Sequence, residues 1–204
     1  MADKTPDLDA LFEDFLSEPE EQFPGGHHAG ESFRGADLRL QNLSRMNLAG
    51  ADFRGANLYR ADLRHSECTH TNFTKAYLAE AQFNACRMVT ASLVQAFARG
   101  AGFAGCDLRG ANLYGAILRR AYFSGANLSG ANLLRVNLRK ADLSEASLRN
   151  ANLHCADLRE ANLSGADLRG AHMEGAHIRG AILREIRHDD RTVWPASIRP
   201  SWEQ

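Results

Sequence analysis

The sequence predicts an all-β solenoid of square coils, and three observations carry that reading. First, a five-residue phrase (small, polar, Leu or Phe, then two variable residues) keeps its phase without a slip from Glu31 to Glu185. Its large site falls at Phe33, Leu38, Leu43 and every fifth residue to Leu183; of thirty-one such sites twenty are Leu and six are Phe. Second, two positions earlier, twenty-three of thirty-one residues are Ala. Third, unusual residues recur at intervals of twenty.

The period excludes the simpler alternatives. On an α-helix, centres five apart rotate by about 140° and the Leu residues surround the axis, leaving no polar face. On a flat strand an odd period throws successive Leu residues onto opposite faces. Only a chain that turns at every fifth residue keeps all the centres on one side, with the Ala and Leu/Phe sites inward. The phenylalanines set the coil size. They form two triples, Phe33, Phe53, Phe73 and Phe83, Phe103, Phe123, each spaced by twenty. Stacking of aromatic rings in neighbouring coils explains that spacing. Arg99, Arg119, Arg139, Arg159 and Arg179 repeat at twenty as well, as do Ser124, Ser144 and Ser164. Four phrases therefore make one square turn. Nearly eight coils at about 4.8 Å apiece give a rod roughly 37 Å long.

Tandem phrases such as ANLYG, ANLSG, ADLSE and ADLRG closely resemble the pentapeptide-repeat proteins, over about three quarters of the chain. The resemblance implies a right-handed quadrilateral β-helix with the other three positions of each phrase outside. It is far less specific for function, since such relatives include gyrase-protecting proteins of the quinolone-resistance type, developmental regulators and secreted effectors. None is an enzyme by virtue of the repeat.

Residues 1–30 stand outside the repeat. Thr5, Pro6 and Asp7 read as a helix start, with a hydroxyl N-cap, Pro at the first helical position and an acid in the first turn. Leu8, Leu11, Phe12, Phe15 and Leu16 then fall on one helical face, and Pro19 stops the pattern. A short acidic amphipathic helix on a linker through Pro24-Gly25-Gly26 is expected. Residues 31–185 form the β-helix, and residues 186–204 a C-terminal cap. In that cap Ile186, Val193, Trp194, Pro195 and Ile198 cover the last coil, as an open strand edge requires. Many pentapeptide-repeat proteins resemble this chain in closing with a Thr-x-Trp-Pro-like segment; an end-to-end homodimer through Trp194 is the alternative to a monomer.

Composition narrows the function classes. Hydrophobic residues make up 44% of the chain, and no apolar run approaches a membrane span. The acidic N-terminus lacks the pattern of a signal peptide. Cys68, Cys86, Cys106 and Cys155 lack disulfide-framework spacing, which suits a reducing, cytoplasmic setting. Cys86 and Cys106 share one inward column within disulfide reach, yet replace Ala and read as free buried thiols. No P-loop, GxSxG or HExxH sequence is present, nor a GxGxxG between strand and helix. His65, Cys68 and His70 point to different sides and do not converge on a metal. No cofactor is expected, and the chain reads as non-enzymatic.

Surface is what remains. Net charge is near zero, but residues 1–30 carry eight acids and one base while residues 31–187 carry fourteen acids and twenty-one bases. Arg99, Arg119, Arg139, Arg159 and Arg179 form a ladder up one face, with Arg120 and Lys140 beside it. Tyr77, Phe97 and Ile117 replace outward Asn or Asp on that face, and Val94, Tyr114 and Leu134 form a second apolar column on another. Between Arg64 and Gly105 the phrase weakens without losing phase. A protein-binding scaffold or regulator is the leading expectation. A DNA-mimic protein that protects gyrase from inhibitors is the first alternative, although mimicry wants an acidic rod and this one is basic. Nucleic-acid or polyanion binding through the Arg ladder is the second. The acidic arm is complementary in charge to the rod.

Overall fold

The computed structural model describes residues 26–196, and residues 1–25 and 197–204 lie outside the description. The five predicted helix-face residues, Leu8, Leu11, Phe12, Phe15 and Leu16, and Ile198 of the predicted cap therefore fall outside it.

Parallel bridges join each residue of the polar site to the residue twenty positions on, from His27 with Asn47 to Asp167 with Arg187. The chain is therefore a β-helix with four sides to the coil. We name its faces by their inward centres: face I from Phe33 to Met173, face II from Leu38 to Ile178, face III from Leu43 to Leu183, and face IV from Leu48 to Leu168. The centres and the Ala sites of the middle coils are buried completely and form one continuous core. Ala fits where two inward columns meet at a corner, and Leu or Phe fills the centre.

Each corner is a four-residue turn in which the next small residue donates to the centre's carbonyl, as Ala56 N does to Phe53 O at 3.0 Å. Its third residue has positive φ at all thirty-two corners from Gly30 to Glu185, the type II arrangement. Fourteen of these residues are Gly and eighteen are not, so core and ladder hold many side chains in the left-handed region.

The polar site also has a structural reason. Asn57 Oδ1 accepts from Tyr59 N at 3.1 Å, and Asn112, Asn132 and Asn152 serve Tyr114, Leu134 and His154 in the same way. The first corner residue's N–H is absent from the ladder, and a short Asn or Asp side chain two residues earlier satisfies it. The preference for Asn and Asp is thus a hydrogen-bond requirement of the turn.

The weakened stretch is a repacking of the core. Phe33, Phe53 and Phe73 stack on face I at 4.8 and 5.1 Å, and Phe83, Phe103 and Phe123 on face III at 5.0 and 4.8 Å. The two stacks meet edge to face where Phe73 and Phe83 lie 5.5 Å apart at 83°. Around this crossover the small centres Cys68 and Ala98 stand on faces opposite Leu78 and Met88, and all four are wholly buried in the core. Polar replacements in the Ala columns bond inward: Ser66 to Leu43 O at 2.7 Å and Thr71 to Leu48 O at 2.8 Å. The thiols of Cys86 and Cys106 donate likewise to Leu63 O and Phe83 O at 2.7 Å, and both residues are free cysteines. Contact with the Cys86 thiol, then burial, push Cys68 and Cys106 above the usual thiol range.

At the C-terminal end the ladder runs past Glu185, with one change of register. His172 bridges Val193, twenty-one residues on. The extra residue is taken up by a small knot. Asp189 Oδ1 replaces a backbone carbonyl as acceptor for Gly170 N at 2.8 Å, and Thr192 Oγ1 donates to Leu168 O at 3.0 Å. The shift turns Val193 outward, 39% exposed, and packs Trp194 against the core, with Pro195 buried beside it.

Candidate functional site

Face II breaks the rule of the polar site most persistently. Its outward column runs Asp37, Asn57, Tyr77, Phe97, Ile117, Asn137, Asp157, His177, and bridges join each to the next. Tyr77, Phe97 and Ile117 occupy three successive coils, half-buried, where a turn-capping Asn or Asp belongs. Ala79 N and Arg119 N have no such side-chain acceptor among the described residues. The apolar column extends to Tyr59, whose ring lies 6.2 Å from that of Tyr77 and carries the Arg60 guanidinium 5.1 Å over it. Burial raises the Tyr77 hydroxyl above its ordinary range.

The basic ladder on the same face divides into spent and unspent charges. Arg159 folds back on Asp157 at 2.6 Å, an intra-phrase pairing shared by Asp62 with Arg64 and Asp107 with Arg109. The hydrogen bond from Arg159 holds the Asp157 carboxyl below the usual carboxylate range. Arg139 and Lys140 both reach Glu160, at 2.6 and 3.1 Å, and lower it in turn. Arg119, Arg120 and Arg179 are exposed and make no ion pair among the described residues; Arg99 is exposed too. The unspent pair Arg119 and Arg120 stands at the corner directly beside Ile117.

Round that corner, on face III, lies a residue the repeat reading passes over. Tyr122 occupies a polar site and is 56% exposed, the most exposed large hydrophobic residue described. The aromatic in the polar position of AYFSG is the signal that marks it. Phe97, Ile117, Arg119, Arg120 and Tyr122 thus form one continuous apolar and cationic surface. Val94, Tyr114 and Leu134 sit in successive coils on face I, all half-buried, flanked by Asn ladders such as Asn132 Nδ2 to Asn112 Oδ1 at 3.2 Å. They stand at the corner where face I turns into face II, three residues before Phe97, Ile117 and Asn137, with the width of face II between them and Tyr122.

No group of three His, Cys, Asp or Glu residues among those described could hold a metal ion. His65 and His70 are exposed, whereas Cys68 is wholly buried. No helix among the described residues is long and apolar enough to cross a membrane.

A family model described as pentapeptide repeats (8 copies) matches residues 32–66, 56–95, 90–120, 116–154 and 146–184. The chain belongs to the pentapeptide-repeat family. Proteins of this family form right-handed β-helices, the architecture found here. Among solved structures, trypsin-treated QnrB1, a plasmid-mediated fluoroquinolone resistance protein, is 22% identical. The likeness covers 82% of this chain and 92% of that one with a TM-score of 0.67, and it shows the fold alone. HetL, involved in heterocyst differentiation regulation in the cyanobacterium Nostoc sp. strain PCC 7120, is 27% identical. That likeness covers 80% of this chain and 86% of HetL, with a TM-score of 0.47. No curated protein matches the sequence.

Proposed function

We propose that this pentapeptide-repeat protein is a non-catalytic binding rod whose protein partner docks on face II between Tyr77 and Ile117. One observation carries the reading. Three successive coils forgo the Asn or Asp that caps the turn and present Tyr77, Phe97 and Ile117 instead, beside the unspent charges of Arg119 and Arg120. Local rules given up without a gain in packing mark a surface kept for another purpose. An apolar strip edged by arginine suits a partner with apolar anchors and flanking carboxylates. Nucleic acid is the weaker fit, because Arg139 and Arg159, two of the five ladder arginines, are already neutralised.

The test is affinity capture from the native cytosol with the wild-type chain and with a Phe97→Glu/Ile117→Glu variant. A partner lost with the variant, while circular dichroism shows the β-helix intact, is the expected outcome; capture that survives the variant refutes the site. A gyrase supercoiling assay with and without quinolone, and DNA retention across a salt series, run alongside. Protection of gyrase that persists in the variant, or salt-sensitive DNA retention, overturns the reading in favour of another function.

A further inference from the structure

We propose that face II has an intramolecular occupant: the acidic segment 1–25 lies along it, with its apolar residues on Tyr77, Phe97 and Ile117 and its carboxylates on Arg119 and Arg120.

Connectivity makes the path short. The described chain starts at Gly26, and His27 bridges Asn47 at the start of face IV, opposite face II. Opposite faces of packed sheets are about 10 Å apart. The seven residues Pro19 to Gly25 span up to about 23 Å, enough to cross the open end of the first coil. That end needs cover in any solenoid. The length left after the crossing carries residue 18 to the second coil of face II, at Asn57.

Length and chemistry then match. The sequence predicts a helix over residues 5–18, about 21 Å long at 1.5 Å per residue. The column from Asn57 to Asn137 spans four bridged steps, about 19 Å at 4.8 Å each. Leu8, Leu11, Phe12, Phe15 and Leu16 supply an apolar stripe for a column that is itself apolar over three coils. Residues 1–25 carry eight acids and one base, and the rod carries the opposite excess. With residue 18 level with Asn57 in the second coil, Phe15 and Leu16 fall at the level of Tyr77, Leu11 and Phe12 at that of Phe97, and Leu8 at that of Ile117. The acid-rich start of the helix, Asp7 and Asp9, then reaches the level of Arg119 and Arg120. That the docked segment excludes a partner rests on the proposed function; the docking itself does not.

Distance measurement by electron spin resonance on the full chain decides the matter. In a Cys155→Ser background, which removes the exposed thiol, Ala10→Cys is spin-labelled together with Asn137→Cys on face II or with Ser147→Cys on face IV. Positions 137 and 147 are polar sites of one coil on opposite faces. Docking predicts a narrow distribution from residue 10 to residue 137, centred at a shorter distance than that to residue 147. It also predicts that Arg119→Glu/Arg120→Glu broadens and lengthens the first distribution. Equal or broad distributions to both sites, a shorter distance to residue 147, or indifference to the arginine reversal overturns the proposal. Because no partner is present, failure here is distinct from failure of the proposed function.

Discussion

Replacing Phe103 by Leu removes an aromatic ring from the middle of a stack while keeping the residue that the repeat uses most often. Phe103 lies 5.0 Å from Phe83 and 4.8 Å from Phe123, with the rings within 6° of parallel. Each such pair contributes about 0.5–1.5 kcal/mol beyond the area it buries. Loss of two pairs should therefore destabilise the rod by about 1–3 kcal/mol. Phe123 has the same complete burial but one aromatic neighbour, since the next residue in its column is Leu143. Phe123→Leu should cost about half as much. In the double variant the shared pair can be lost only once, so the costs should fall short of their sum by about 0.5–1.5 kcal/mol. Urea unfolding followed by far-ultraviolet circular dichroism measures all three, with an unchanged slope as the check that the unfolded state is not altered. Equal costs for the two single variants, or strict additivity in the double, would show that the stacks matter only as filled volume.

Ala98→Leu should destabilise the rod by about 1–3 kcal/mol although it restores the consensus, because Ala98 is wholly buried and the larger side chain must push into the core toward Met88 on the opposite face. Adding Met88→Ala should recover part of the loss in the same urea titration, and simple addition of the two costs would contradict the pairing. Ala85→Gly should stabilise by about 0.5–1 kcal/mol, the left-handed penalty at φ 58° less the greater freedom of glycine in the unfolded chain; an unchanged midpoint would count against it. Hydrogen bonds from Arg54 and Arg191 hold Asp52 and Asp189 at about 2, below the unfolded value near 3.9. Their contribution is complete above about pH 4 and is lost as pH falls through about 2, so Tm should drop across that window. The Asp52→Asn/Asp189→Asn variant should show a shallower drop, and one as steep as in wild type would place the acid sensitivity elsewhere.

Fold and coil size were legible because the period of five is enforced by burial. A slip of one residue would turn Leu out and Asn in, so phase survived even where Cys68 and Ala98 replaced Leu. What stayed hidden depended on contacts that no period encodes. Among the described residues the ladder runs from His27 to Val193, beyond the recognisable phrases, because backbone hydrogen bonds do not read side chains. The extra residue near Asp189 has no consensus and shows only as a bridge of twenty-one. Phase puts the arginines of the ladder and the acids Asp157 and Glu160 on one side of the rod, but which arginine each acid takes depends on how side chains fold over the surface. The apolar column on face II was visible from phase. Its meaning became sharper only when the turn-capping task of Asn and Asp explained what Tyr77, Phe97 and Ile117 give up.

The parallel ladder that joins coil to coil has a mechanical corollary. All its hydrogen bonds point along the rod, and the described chain enters at one tip and leaves at the other. Tension applied between the tips therefore falls on the bonds of a terminal coil before any others, and the rod should open like a zipper. Each coil released adds twenty residues of slack, up to about 65 Å, in place of the roughly 4.8 Å it occupied when folded. Under force spectroscopy the molecule should lengthen in equal, repeated steps: soft when pulled from its ends and stiff when pulled between opposite faces.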